Sequence, residues 1–158
     1  MKRVPRLTAV AFLFAIAAVL ATHVQAQQTN TTERTFLTFS APVEMPGVVL
    51  EPGTYEFRLA NTQTSRNVVQ VLKKDQSEVI GQWNFVQSSR PRVSDETVVM
   101  FRESKEGTTP AVQYWYYPGE KIGKEFIYPK DQAERIAART GQTVKSDDGD
   151  VAATASNQ

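Results

Sequence analysis

The stretch Leu50-Glu51-Pro52-Gly53-Thr54-Tyr55-Glu56-Phe57-Arg58-Leu59 decides the fold class. Tyr55, Phe57 and Leu59 alternate with Glu56 and Arg58. A period of two places the three apolar side chains on one face of a strand and the two charges on the other. Pro52-Gly53, just before it, reads as a type II turn, in which Pro presets φ and Gly accepts φ > 0. Pro46-Gly47 and Pro118-Gly119 carry the same signal. Val48-Val49-Leu50, between the first two pairs, is a short extended piece.

The same grammar continues in both directions. Upstream, Thr35-Phe36-Leu37-Thr38-Phe39 is aromatic and β-branched and stops at Ser40-Ala41-Pro42, which predicts a first strand. Downstream, strands are predicted at 68–72, 78–86 with Trp83 and Phe85, 97–101, 112–117 and 126–128. Polar turn segments separate them. About seven or eight short strands at near-regular spacing predict a mainly β protein, an antiparallel β-sandwich. One short C-terminal helix is expected near 130–140, because Ala133, Ile136, Ala137 and Thr140 fall at i, i+3, i+4 and i+7. Pro129 and Gly141 bracket it as start and stop signals. Residues 142–158 are rich in Ser, Asp, Ala and Thr and predict a disordered tail.

At the other end, Lys2, Arg3 and Arg6 precede an apolar block that closes with Val24-Gln25-Ala26. This pattern predicts a secretory signal peptide over 1–26, followed by a flexible leader over 27–34 and a sandwich domain over 35–141. Cleavage takes 26 of the 158 residues and leaves 132, enough for one core. It also removes three of the 18 basic residues and none of the 17 acidic ones, turning the formal charge from +1 to −2. That balance argues against nucleic acid as a partner. The expected location is the periplasm or the extracellular space, with no membrane anchor after cleavage.

The only histidine is His23, inside the predicted signal, and the chain has no cysteine. A Ser-His-Asp or Cys-His site has no general base in the mature chain, and zinc or copper would lack its usual ligands. No cofactor is expected. Acidic residues such as Glu44, Glu56, Glu120 and Glu125 could supply a carboxylate pair for glycoside hydrolysis, but their positions read as turns and outward strand faces. Asp147-Asp148-Gly149-Asp150 lacks the alternating ligands and final Glu of an EF-hand. Arg90, Arg92, Arg102 and Lys105 form a basic region read as a solvated hairpin end.

Tyr114-Trp115-Tyr116-Tyr117 is the most unusual segment. Alternation sends Trp115 and Tyr117 to one face and Tyr114 and Tyr116 to the other. One pair can fill the core while the predicted helix covers the other. The competing functional reading makes Trp115 and Tyr117, helped by Trp83, a ligand-contact surface on which sugar rings stack.

Leu50-Glu51-Pro52-Gly53-Thr54-Tyr55-Glu56-Phe57, Asn67-Val68-Val69-Gln70-Val71, and the block from Tyr116-Tyr117-Pro118-Gly119 to Tyr128-Pro129-Lys130 resemble a family of small exported bacterial proteins with no known activity. The resemblance implies a family and no reaction. The expected function is therefore that of an exported, non-catalytic β-sandwich protein that binds a ligand or associates with the envelope. Polysaccharide or another envelope protein is the expected partner. The alternatives are a carbohydrate-active enzyme using paired carboxylates and a protein that adds an edge strand to a partner.

Overall fold

A computed structural model of the chain describes residues 33–60, 67–74, 78–102 and 107–152. The predicted signal peptide, the leader up to residue 32 and the last six residues of the predicted tail lie outside the described residues. The described part is mainly β. Its elements are β1 (Arg34–Phe39), β2 (Val43–Met45), β3 (Val48–Leu50), β4 (Gly53–Leu59), β5 (Val68–Lys73), β6 (Val79–Ser89), β7 (Val98–Phe101), β8 (Val112–Tyr116), β9 (Ile122–Phe126) and α1 (Lys130–Thr140). Seven strands form one antiparallel sheet in the order β1-β4-β5-β6-β9-β8-β7, and β2 and β3 form a separate hairpin.

The inward row begins where the alternation places it. Thr35, Leu37 and Phe39 of β1 lie opposite Phe57, Tyr55 and Gly53 of β4. β6 then makes the sheet turn on itself. Its first half pairs with β5, Val69 opposite Trp83, and its second half pairs with β9, Phe85 opposite Phe126 and Gln87 opposite Lys124. Eleven residues shared between two neighbours let the two halves of the sheet fold face to face. Phe57 on β4 thus meets Trp115 on β8, with ring centroids 6.0 Å apart. The Trp115 indole Nε1 donates to Thr35 Oγ1 on β1 at 3.2 Å.

One end of this fold is closed. Gly47 takes φ +75° in the turn between β2 and β3, and its N–H donates to Gln132 Oε1 on α1 at 2.7 Å. Gln132 also donates to Glu44 Oε1 at 2.8 Å and to Met45 O at 3.0 Å, and Arg139 forms an ion pair with Glu44. The helix buries Ala133, Ile136 and Ala137 in the core. It begins after Pro129 and ends at Gly141, whose φ of 71° and N–H bond to Ala137 O at 2.9 Å form a left-handed cap. Beneath it the Tyr128 hydroxyl donates to Val112 O at 2.6 Å, with Glu44 O 3.1 Å away. Burial pushes that phenol far above its ordinary pKa.

Several expectations change. Pro52-Gly53 is not a positive-φ turn, because Gly53 opens β4 and only Gly47, Gly107, Gly119, Gly141 and Gly149 have positive φ among the described residues. β2 is a strand that lacks a sequence signal of its own, and the last strand is β9 rather than 126–128. Residues 142–152 pack instead of forming a loose tail. Val144 is fully buried, and it exchanges both backbone hydrogen bonds with Val151 at 2.8 Å. Two apolar residues that meet across a turn are enough to dock a segment whose composition is otherwise polar. Among the described residues no helix is long and apolar enough to cross a membrane.

Candidate functional site

The site is built around Lys124. On β9 the alternation places Phe126, Lys124 and Ile122 on the inner face, running from the core outward, while Glu125 and Gly123 face out. Phe126 is fully buried and Ile122 is half-exposed. Lys124 lies opposite both Gln87 and Trp115 in the ladder, and its Nζ sits 5.3 Å from the Trp115 ring centroid. An ammonium is thus held inside the sheet, with its side chain only 5 % exposed. Such a charge is tolerated only when paired.

Two glutamates pair it. Glu120 Oε2 accepts from Lys124 Nζ at 3.0 Å, and Glu33 Oε2 forms the second ion pair. Each carboxylate is positioned by backbone. Glu33 precedes β1, and its carbonyl accepts the Leu59 N–H at 3.0 Å. Glu120 sits in the turn made by Pro118-Gly119, where Gly119 takes φ +77°. Arg90 holds that turn from the side. Its Nε and Nη2 donate to Glu120 O at 3.1 and 2.8 Å, its backbone N–H donates to Lys121 O at 3.0 Å, and its guanidinium lies 4.6 Å from the Tyr116 ring centroid. Burial raises the Glu33 carboxyl above the usual carboxylate range, although the Lys124 ammonium pulls the other way.

Among the described residues, nothing covers this triad. A cavity of about 460 Å³ lies at the end of β9 away from the helix. Leu59, Phe85 and Ile122 provide its apolar walls, Gly123 adds no side chain, and Asn67, Gln87, Glu33, Glu120, Lys121 and Lys124 bring polar groups. A concave, mainly apolar mouth with a few convergent polar groups is the usual form of a small-molecule site. A second cavity of about 350 Å³ lies between the hairpin and α1. Its charges are already committed, Glu44 to Gln132 and Arg139, Arg135 to Asp131, so it reads as a structural clasp.

The expected ligand-contact residues do not form a surface. Trp115 is fully buried at the centre of the core and cannot stack on a sugar. Trp83 is half-buried near the closed end, where its Nε1 donates to Pro46 O at 2.6 Å and its ring meets Phe126 edge-on at 6.5 Å. Gly81 makes room for it, since a Cβ there would lie 2.3 Å from the indole. Tyr117 packs half-buried against the core. The opposite pair is not covered by the helix either. Arg90 covers Tyr116, and Gly123 lets that ring lie flat on the outer face, where a Cβ would approach it to 2.3 Å.

The basic region also disperses. Arg90 is spent on the Glu120 turn, while Arg102 is buried against Glu125 at 3.4 Å and donates to Thr143 O at 2.7 Å. Lys105 lies outside the described residues. Among the described residues no group of three potential metal-ligating side chains converges. The acidic residues are not all dispersed, because Glu33 and Glu120 meet on one ammonium. Glu33 escapes a sequence reading that places it in a polar leader. Lys124 escapes because no strand is predicted at 122–126, and only that strand's alternation puts the lysine on the side of Phe126.

No protein-family model, curated protein or solved structure matches the chain.

Proposed function

We propose that this is an exported, non-catalytic binding protein whose open mouth takes a small molecule with a mainly apolar body. The cavity of about 460 Å³ walled by Leu59, Phe85 and Ile122 carries the reading. The opposite end of the sandwich is sealed by a helix and a hairpin, whereas here half-exposed Ile122 faces the opening. Lys124 sits between the two carboxylates, where a scissile glycosidic bond would have to lie, and this favours binding over hydrolysis. The signal-like segment over 1–26 supports export.

The test uses the protein recovered from the periplasm after expression of the full chain, titrated with the neutral fluorophore N-phenyl-1-naphthylamine. Saturable one-to-one enhancement is expected, and Ile122→Arg is expected to weaken it about tenfold, the scale of losing one partly buried aliphatic contact. Absence of saturation, or an unchanged Ile122→Arg titration, removes the proposal.

A second reading rests on β7. It is an edge of the sheet, Val98-Val99-Met100-Phe101 carries no charge, and Met100 and Phe101 are 45 % and 38 % exposed. The other edge, β1, begins with Arg34. An uncharged edge supports strand addition by a partner. Replacing Met100 with Lys would abolish such an association and leave fluorophore binding intact.

A further inference from the structure

We propose that the mouth selects amphiphiles with a single cationic head, a protonated amine or a quaternary ammonium, and that the carboxylates of Glu33 and Glu120 recognise it. The inference rests on the binding reading above and names the chemical class of its ligand.

Donor and acceptor capacity decide the sign of the head group. An ammonium has three donors and no acceptor. Lys124 directs two of them to Glu33 and Glu120, and its charge sits over the Trp115 ring. An anionic head would have to displace a carboxylate that already neutralises this ammonium. The carboxylates are not similarly exhausted. Lys124 engages one oxygen, Oε2, of each, the Glu33 and Glu120 carboxyls also lie against one another, and the oxygen sites left over can only accept. Two carboxylates around one ammonium also leave one net negative charge at the inner end of the cavity. Lys121 is exposed on the rim, and both carboxylates pair with Lys124 rather than with it, so its screened field offsets that charge only in part.

The remaining geometry fits the same ligand. Leu59, Phe85 and Ile122 accept an alkyl or aryl body, and the charge lies at the inner end beside Lys124. Glu120 is the better-placed partner for an incoming head, since its side chain is 38 % exposed against 15 % for Glu33. Arg90 is a positioning residue in this arrangement. It grips the Glu120 carbonyl twice and aims the side chain into the opening without entering it.

The experiment is displacement of N-phenyl-1-naphthylamine from the full-length-derived mature protein at neutral pH and low salt. The competitors are decyltrimethylammonium and decanoate below their micellar concentrations and decanol below its solubility limit. Decyltrimethylammonium is expected to displace the fluorophore at about one tenth of the decanol concentration, with decanoate weaker still. The ratio between decyltrimethylammonium and decanol is then measured in Glu120→Gln and Glu120→Asp. Glu120→Gln should lose most of the ratio and Glu120→Asp should keep most of it. Equal or better displacement by decanoate overturns the proposal, as does an unchanged ratio in Glu120→Gln. A fluorophore that binds while the three competitors rank equally overturns the cationic preference alone. A fluorophore that never saturates removes the binding reading and this inference together.

Discussion

The two ends of the sandwich solve the same problem differently. At the helix end, a buried glutamate, Glu44, is fastened by Gln132 and Arg139, the Tyr128 hydroxyl bonds a main-chain carbonyl, and Ile136 fills the space beneath. At the mouth, a buried lysine is fastened by Glu33 and Glu120, yet among the described residues no element lies over it and the apolar walls line the cavity. Both ends pair their most buried charge, Glu44 at one and Lys124 at the other. Only one of them covers its apolar surface. Pairing of charges is therefore a condition for folding that both ends meet, while the uncovered surface is the feature that distinguishes a site from a seal.

The largest effect should come from the residue on which both halves rest. Trp115 is fully buried, touches Phe57, bonds Thr35 and lies under Lys124. Trp115→Ala should cost about 3–5 kcal/mol in urea unfolding, the range for emptying a large aromatic site in a core. A near-zero cost would return the ring to the surface and break the comparison. The next effect separates the ends directly. Ile136→Ala at the closed end should cost about 2–5 kcal/mol, whereas Ile122→Ala at the mouth should cost about 0.5 kcal/mol or less. Similar costs at the two positions would mean that the mouth is sealed in solution.

The asymmetry between the ends was only half legible in the sequence. The β4 alternation, the Gly47 and Gly119 turns and the helix bracketed by Pro129 and Gly141 are local signals, each complete within a few residues, and each appears in the structure. β9 is different, because Ile122-Gly123-Lys124-Glu125-Phe126 has apolar residues only at its ends. Its strand conformation comes from neighbours on both sides, β6 and β8, and not from propensity. The mouth was invisible for the same reason. Its triad joins residues 33, 120 and 124, and only the folding of the sheet about β6 brings the first of them to the other two. The aromatic run at 114–117 is the stronger local signal, although large rings in a small sandwich fill the core before they decorate the surface.

The smallest effect reads the mouth alone. Burial holds the Glu33 carboxyl above the usual carboxylate range, against the pull of Lys124, with Glu120 adding a like charge and Lys121 standing at the rim. A carboxyl whose folded pKa lies above its unfolded value, 4.5, binds its proton more tightly in the folded chain. Its contribution to stability is therefore fully present below pH 4.5 and declines as the pH rises through the folded value. Glu33→Gln cannot titrate and should show no such decline. The stability of Glu33→Gln relative to the native chain should increase as the pH rises from about 4 to 7 in denaturant titrations, by less than either Trp115→Ala or Ile136→Ala costs. The opposite slope would mean that the Lys124 bridge outweighs the desolvation of Glu33, and that the mouth is sealed electrostatically as firmly as the helix end is sealed by packing.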